Sequence, residues 1–298
     1  MPEESLVEEV LSIVKRAGYK ADLILYPKTE RSVDVVGSSK ERALFIKVVH
    51  DAKEVNKSKI SDLRKVKVAY GVSTVVVALE QRKIELEDDV VYIKQGSVLV
   101  TPKTLENYLL KGEKPIVACI RGNYVLKVNS QRFKEKKEEL KCGRSALAGI
   151  LGTSRKAIYM YEKGEMYISV DKALRLASVM GEDVFEEFDF AREDYEEEVK
   201  DESQPRDAVE EAVFRLARDL GHAFLNFTRL PVDAAVKGNT TVSIVKGDVQ
   251  DLTEKVEYAE KIATLANTRV FLLRSYKDLR ELRRLLEGDA GEERVQRS

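Results

Sequence analysis

One stretch decides the fold of the middle of the chain: Gly143-Arg144-Ser145-Ala146-Leu147-Ala148-Gly149-Ile150-Leu151-Gly152-Thr153-Ser154-Arg155-Lys156-Ala157-Ile158-Tyr159-Met160-Tyr161-Glu162-Lys163-Gly164. Its apolar residues recur at helical spacing in two groups, Leu147 to Leu151 and Ile158 to Tyr161. Gly152 lies between the groups and can take the left-handed backbone conformation that ends a helix in a sharp turn. Thr153 or Ser154 can cap the second helix with its hydroxyl. The stretch predicts two short helices joined by a tight turn.

The second predicted helix keeps its polar residues on the face turned away from the core. Ile158 and Tyr161 face inward, so the outward positions are Arg155, Lys156, Tyr159, Met160 and Lys163. Two helices around a tight turn form a helix-turn-helix, whose second helix enters the major groove of DNA. The pattern therefore favours a DNA-binding segment, and a helical hairpin with no DNA role is the alternative.

A longer pattern connects this stretch to a known family. From Leu147 to Gly164 the sequence reads Leu-Ala-x-x-Leu-Gly-x-Ser-Arg-x-x-Ile-x-x-Tyr-Glu-x-Gly, which resembles the Cro/CI-type helix-turn-helix family. The similarity extends over 129–181, with 133–140 as the family's first helix and 169–181 as its fourth. The resemblance implies a five-helix, all-α DNA-binding domain over residues 129–190.

The resemblance also implies which side chains meet double-stranded DNA. In this family the second helix of the motif faces base edges, and the N-termini of both helices approach phosphate. The expected DNA-contacting residues are Arg144, Ser154, Arg155, Lys156, Tyr159, Met160 and Lys163. Arg155 is the best base reader, since its planar guanidinium can bond guanine O6 and N7 together. Met160 can offer only an apolar contact, and Glu162 is expected to hold the domain together internally.

The charge distribution agrees with this assignment. The whole chain has a net charge of −1, so it is not a general binder of polyanions. Residues 129–181 contain eleven Lys and Arg against six Asp and Glu, a net charge of +5. Residues 182–204 contain twelve acidic against two basic residues, and the acidic run within them at 193–202 predicts a solvated linker. Competition of that acidic segment with DNA for the basic face is a second interpretation.

Two segments outside this region, 7–80 and 209–276, follow one pattern. Each begins with an amphipathic helix that starts Val-Glu-Glu, at Val7 and at Val209. Three apolar strands, a helix with an apolar stripe and a fourth strand follow in both segments. Each copy has an Asp thirteen positions before a Lys, and these pairs are Asp34 with Lys47 and Asp233 with Lys246.

This order of elements resembles the restriction-endonuclease-like fold. In active members the Asp and an acidic residue two positions before the Lys hold Mg²⁺. That acidic position is Phe45 in the first copy and Ile244 in the second, and neither side chain offers an oxygen ligand. The resemblance therefore implies two degenerate nuclease-like domains with no catalytic residues, metal or cofactor. A relocated carboxylate from Glu41, or from Glu8 and Glu9, is the alternative.

The sequence as a whole predicts an α/β plus all-α protein, in which two nuclease-like α/β domains flank the helix-turn-helix domain. Neither the two cysteines nor the two histidines show metal-ligand spacing, and no apolar run is long enough to span a membrane, so we expect a cytoplasmic protein. The expected segments are a nuclease-like domain at 1–82, a β-rich extension at 83–128, the helix-turn-helix domain at 129–190, an acidic linker at 191–205, a second nuclease-like copy at 206–277 and a helix with a disordered tail at 278–298.

This arrangement resembles a family of archaeal helix-turn-helix transcriptional regulators. The resemblance implies sequence-specific control of transcription by a homodimer on a palindromic site, because one recognition helix covers too few bases. The nuclease-like domains would then supply the dimer interface or a sensing surface. The alternatives are a structure-specific DNA-binding or repair factor, a residual Mg²⁺-dependent nuclease, and an RNA-binding protein.

Overall fold

The computed structural model describes residues 3–191, 203–247 and 250–296. The chain forms two compact units: unit 1 comprises Met1–Ile84 with Glu196–Ser298, and unit 2 comprises Glu85–Tyr195. Both copies of the repeat therefore belong to unit 1, and the helix-turn-helix shares unit 2 with the β-rich segment that precedes it. Most of the expected acidic linker lies outside the described residues.

The first copy has the order of elements that the sequence predicts. Its elements are α1 (Glu3–Arg16), β1 (Lys20–Leu23), β2 (Val35–Ser38), β3 (Ala43–Asp51), α2 (Lys57–Tyr70), β4 (Ser73–Gln81) and the two-residue β5 (Ile84–Glu85). Strands β1, β2 and β3 pair antiparallel, while β3 and β4 pair parallel. A parallel pair needs a crossover connection, and α2 provides it. Asn56 caps the start of α2, and Gly71 ends it in the left-handed conformation at φ 64°.

Gly37 has a different role from the one that its neighbours suggest. Gly37-Ser38-Ser39 is a typical turn sequence, but Gly37 lies inside β2. The turn forms one step later, where the backbone N–H of Ser39 donates to the carbonyl of Arg42 at 2.8 Å. A Cβ on Gly37 would lie 2.8 Å from Cγ1 of Val14. Glycine is therefore needed here because α1 packs closely on the strand.

Unit 2 combines a sheet with the helix-turn-helix. Its elements are β6 (Val90–Lys94), β7 (Ser97–Val100), α3 (Pro102–Glu106) followed by a π-helical turn (Asn107–Lys111), β8 (Val117–Ile120), β9 (Asn123–Val128), α4 (Ser130–Glu139), α5 (Arg144–Leu151), α6 (Arg155–Lys163), β10 (Tyr167–Ser169), α7 (Val170–Met180), a 3₁₀ turn (Glu182–Val184) and β11 (Phe185–Glu186). The strand order is β7-β6-β8-β9-β10, and β11 also pairs with β9. Arg121 and Gly122 both have positive φ and form the two-residue turn of the β8–β9 hairpin.

The helix-turn-helix region differs from the five-helix expectation. Among the described residues 129–191 there are four α-helices, and the segment after α7 forms the 3₁₀ turn and β11 instead. Strands β10 and β11 both pair antiparallel with β9, whose apolar residues Leu126 and Val128 are buried in the same core as the helices. Backbone pairing with β9 therefore replaces a fifth helix in closing this region.

The second copy repeats the topology of the first. Its elements are α8 (Ala208–Asp219), β12 (Ala223–Asn226), β13 (Ala234–Lys237), β14 (Thr241–Lys246), α9 (Leu252–Ala266) and β15 (Arg269–Leu273), followed by α10 (Leu279–Gln296). Strands β12, β13 and β14 pair antiparallel, while β14 and β15 pair parallel. Helix α10 extends through Gln296. Its Leu282 and Leu286 are buried in the core of this copy.

Within unit 1 the two copies pack against each other reciprocally. Helix α2 of the first copy contacts β12 and β13 of the second, and α9 of the second contacts β1 and β2 of the first. Tyr70 on α2 stacks between Phe45 and Phe227, at ring-centroid distances of 6.0 and 6.3 Å, and its hydroxyl is 2.9 Å from Oγ of Ser243. Asp62 on α2 accepts hydrogen bonds from the backbone N–H groups of the second copy's 228–229 segment. The repeat thus forms an internal pair with an extensive buried contact.

Candidate nucleic-acid interface

The buried side of the helix-turn-helix is mostly apolar. Leu147 and Leu151 of α5 and Ile158 of α6 are 0% exposed, and Tyr161 is 2% exposed. Gly152 has a φ of 60°, which is left-handed and places the turn where the pattern predicts it. Because Ile158 and Tyr161 are buried, the opposite face of α6 is the one exposed to solvent.

Of the two predicted caps for α6, the structure uses Ser154. Its Oγ accepts a hydrogen bond from the backbone N–H of Ala157 at 3.1 Å. The Ser154 hydroxyl keeps its own hydrogen as a donor, and it lies at the N-terminus of α6, where the helix dipole favours an anion. This position suits the phosphate contact that the resemblance implies.

The outer face of α6 brings five of the expected residues together. Arg155, Lys156 and Lys163 are exposed, Tyr159 is 41% exposed, and Met160 is half-buried. Within the described part of the chain, the side chains of Arg155 and Lys156 form no hydrogen bond and no ion pair. These two cations can therefore contact phosphate or base edges without first breaking an internal interaction.

The ring of Tyr159 lies between two further cations. The guanidinium of Arg144 is 5.1 Å from the ring centroid, and the ammonium of Lys163 is 5.8 Å from it. Both are within the range of a cation–π interaction. This contact brings Arg144 from α5 next to the exposed face of α6, an arrangement that the sequence pattern does not show.

Glu162 holds three helices of the domain together, as expected. Its carboxylate is 3% exposed and accepts hydrogen bonds from Lys137 on α4 and from Nε of Arg144 on α5, the latter at 2.8 Å. Burial raises the pKa of Glu162, but these hydrogen bonds outweigh it, so the pKa is lowered overall. Arg144 thus has a structural partner and still has a side chain that is 47% exposed.

The nuclease-like site of the first copy is closed by internal ion pairs. Asp34 is 1% exposed; its Oδ1 accepts from Nε of Arg31 at 3.0 Å, and its Oδ2 from Nζ of Lys47 and from the N–H of Val48, both at 2.8 Å. Asp34 directly precedes β2 and does not lie on it. Its two oxygens are therefore already bonded to three donors.

The second copy closes the equivalent site with different residues. Oδ2 of Asp233 accepts from Nζ of Lys255 at 2.6 Å, while Nζ of Lys246 bonds Glu210 at 3.2 Å. Glu210 also accepts two hydrogen bonds from Nε and Nη2 of Arg206. Burial raises the pKa of Glu210, but the bonds from Arg206 outweigh it and lower the pKa to about 2. The carboxylates that a metal ion would need as ligands thus already accept hydrogen bonds from lysine and arginine side chains.

Neither copy fits a magnesium ion. Phe45 is 0% exposed and Ile244 is 1% exposed, so the position that supplies an acidic ligand in active nucleases is an apolar core residue in both copies. Among the residues that the structure describes, no group of three or more His, Cys, Asp and Glu side chains could hold a metal ion. The roles of Arg206 and Lys255 could not be predicted, because no sequence pattern marks them.

Comparison with known proteins identifies the same two modules. A model described as a PD-(D/E)XK superfamily domain matches residues 3–115, and a model described as a helix-turn-helix matches residues 133–186. The first match covers the first copy of the repeat together with β6, β7 and α3. The second match covers α4 to α7 and ends in β11.

Several archaeal relatives bear the name "Putative HTH-type transcriptional regulatory protein". One from Pyrococcus horikoshii is 32% identical over 237 residues, which are 80% of this chain and 74% of its own length. The chain belongs to this family. Other members are one from Saccharolobus islandicus, 30% identical over 93% of this chain and 90% of its own, and one from Pyrococcus furiosus, 28% identical over 93% and 89%.

No solved structure matches the chain significantly. Among the residues that the structure describes, no helix has the length and apolar character needed to cross a membrane.

Proposed function

We propose that this protein is a sequence-specific DNA-binding transcriptional regulator that reads its site with the outer face of α6. The observation that carries the proposal is the pair of exposed cations, Arg155 and Lys156, on a helix whose opposite face is fully buried. The family membership and the helix-turn-helix match support a DNA-binding regulator. Arg155 would contact guanine, while Arg144 and Ser154 would contact phosphate next to it.

The regulator would act as a homodimer on a two-fold related site, because a single α6 reaches only a few base pairs. The reciprocal packing of α2 and α9 restricts where the second chain can bind. Those helices already lie against the opposite copy of the repeat within one chain. We therefore propose that the contact between two chains uses other surfaces.

The test is a selection of bound fragments from a random DNA pool with the full chain, at moderate salt and with Mg²⁺ present. A recurring two-fold related motif is expected. Its recovery should be lost with Arg155→Ala and retained with Arg132→Ala, which removes one exposed arginine of the same domain away from α6. If Arg132→Ala and Arg155→Ala reduce recovery equally, or if no motif emerges, base reading by α6 is refuted.

The PD-(D/E)XK match favours a second candidate, a structure-specific DNA-binding factor or a residual nuclease that acts through unit 1. Such a factor would bind unrelated sequences equally and prefer branched DNA. A nuclease would shorten the selected fragments when Mg²⁺ is present. The cation-filled sites around Asp34 and Asp233 support the regulator instead. The same selection repeated with RNA tests the remaining alternative, an RNA-binding protein.

A further inference from the structure

A cleft of about 800 Å³ opens in unit 1 beside the buried ion pair of Asp34 and Lys47. Helix α1, the segment after β1, β3 and the start of α2 form its walls. Lys47, Lys59 and Arg31 line one part of it, and the other charged groups in its lining are the exposed Lys28, Glu4, Glu8, Glu30 and Glu54 and the half-buried Glu254 of α9. The volume falls in the range of sites that enclose a small molecule.

The basic part of the cleft contains more buried positive than negative charge. Lys47 is 4% exposed and Lys59 is 6% exposed, while Arg31 is half-buried. One buried carboxylate, on Asp34, bonds both Arg31 and Lys47. Lys59 is left without a close carboxylate, since its Nζ donates to the carbonyl of Glu54 at 3.2 Å, and the Glu30 carboxylate is 4.0 Å away.

The position of Lys59 favours an anion beside it. Burial lowers the pKa of Lys59, and repulsion from Lys47 adds to this effect. Glu30 cannot fully compensate, because its side chain is 54% exposed and it already pairs with Arg229 at 2.5 Å. Lys59 is the third residue of α2, a helix of 14 residues, so the positive end of the helix dipole points to the same place. An anion bound here would relieve the cost of the buried ammonium.

We propose that this cleft binds a small phosphorylated metabolite, with its phosphate on Arg31, Lys47 and Lys59, and that it is the effector site of the protein. The two lysines and the arginine can together hold a doubly charged phosphate ester. The acidic rim of Glu4 and Glu8 would repel the neighbouring phosphates of a nucleic acid backbone, so a compact ligand with one phosphate group fits better than DNA. The effector role rests on the regulator function proposed above.

Isothermal titration calorimetry of the full chain with inorganic phosphate, in the absence of DNA, tests the site. Wild-type protein should bind one phosphate per chain. Lys59→Gln should weaken binding at least tenfold, which corresponds to about 1.4 kcal/mol. Lys57→Gln is the matched control, because Lys57 is an exposed lysine of the same helix turn that does not line the cleft. Thermal unfolding of both variants shows whether the fold is retained, and Arg31→Gln serves as a second test variant.

Absence of saturable binding, or equal weakening by Lys57→Gln and Lys59→Gln, overturns the site. If duplex DNA displaces the phosphate and Lys59→Gln weakens DNA binding as much as Arg155→Ala does, the cleft holds a DNA phosphate and the small-ligand proposal fails. Arg155→Ala should bind phosphate as the wild-type protein does, because Arg155 does not line the cleft. The phosphate titration therefore tests the cleft independently of the proposal that α6 reads DNA.

The effector role has its own readout. Saturating phosphate, or a panel of phosphate monoesters that includes glycerol 3-phosphate and nucleoside monophosphates, should change the DNA affinity of wild-type protein and leave that of Lys59→Gln unchanged. An unchanged DNA affinity in wild-type protein with the cleft filled would refute the effector role.

Discussion

Replacement of Asp62 by alanine tests the internal pairing of the two copies. Asp62 is 2% exposed on α2, and its carboxylate accepts from Oγ of Ser32 at 2.9 Å, from the N–H of Arg229 at 2.8 Å and from the N–H of Thr228 at 3.1 Å. A hydrogen bond to a charged group contributes about 1.5–3 kcal/mol. Because three donors share one acceptor and such contributions are not additive, we expect a loss of about 3–5 kcal/mol in the free energy of unfolding of unit 1.

Denaturant unfolding and calorimetry of the full chain measure this loss, and hydrogen exchange locates it at the amides of 228–229. For a unit of this size, the transition should move down by roughly 6–20 °C, at about 2–4 °C per kcal/mol. Asp22→Ala is the control, since Asp22 bridges the same two copies through Lys261 at 3.6 Å with a side chain that is 50% exposed. Exposed pairs contribute about 0–1 kcal/mol. A loss for Asp62→Ala no larger than for Asp22→Ala would refute the reasoning.

Three further outcomes are expected. Arg155→Ala should weaken binding to the selected DNA by about 1–3 kcal/mol and relax the preference at one base pair, measured by fluorescence anisotropy across single-base variants of the site; uniform weakening at every position would indicate a phosphate contact instead. Glu162 has a folded-state pKa below its ordinary value of 4.5, so its stabilising contribution is present above that pH and is lost as the pH falls through the folded value. The stability deficit of Glu162→Gln should therefore be larger at pH 7 than in acid, and a deficit independent of pH would contradict this. Asp34→Ala and Asp233→Ala should leave the pattern of DNA fragments unchanged in millimolar Mg²⁺ on a sequencing gel, whereas loss of a cleavage product would show an active nuclease.

The helix-turn-helix was predictable from sequence because its determinants are local. Gly152, the Ser154 cap and the apolar spacing of Leu151 and Ile158 all act within one or two turns of helix. The exposed face of α6 follows from the same spacing, so Arg155 could be singled out without a structure. The expectation of a fifth helix was wrong. The segments before and after α7 pair with β9 as β10 and β11, and this pairing depends on a strand that lies outside the helical motif.

The repeat was predictable in its order of helices and strands, since apolar periodicity marks each element. The exact strand ends depend on packing that the sequence does not show: Asp34 precedes β2, and Gly37 lies within it, against α1. The bond between Lys255 and Asp233 could not be predicted, because Lys255 lies on α9, the helix after the third strand of its copy, and only the folded crossover brings it to the aspartate.

The sequence by itself determined the modules: one helix-turn-helix with its exposed basic face, and two copies of an α/β unit that lack the acidic ligand at Phe45 and Ile244. The tertiary structure alone decided how those copies associate and what surrounds their buried charges. Asp62 and Arg229 are 167 positions apart, and contacts at that separation depend on how complete surfaces fit together. Local propensity carries no information about such a fit, since it is set by packing and burial over the whole of unit 1.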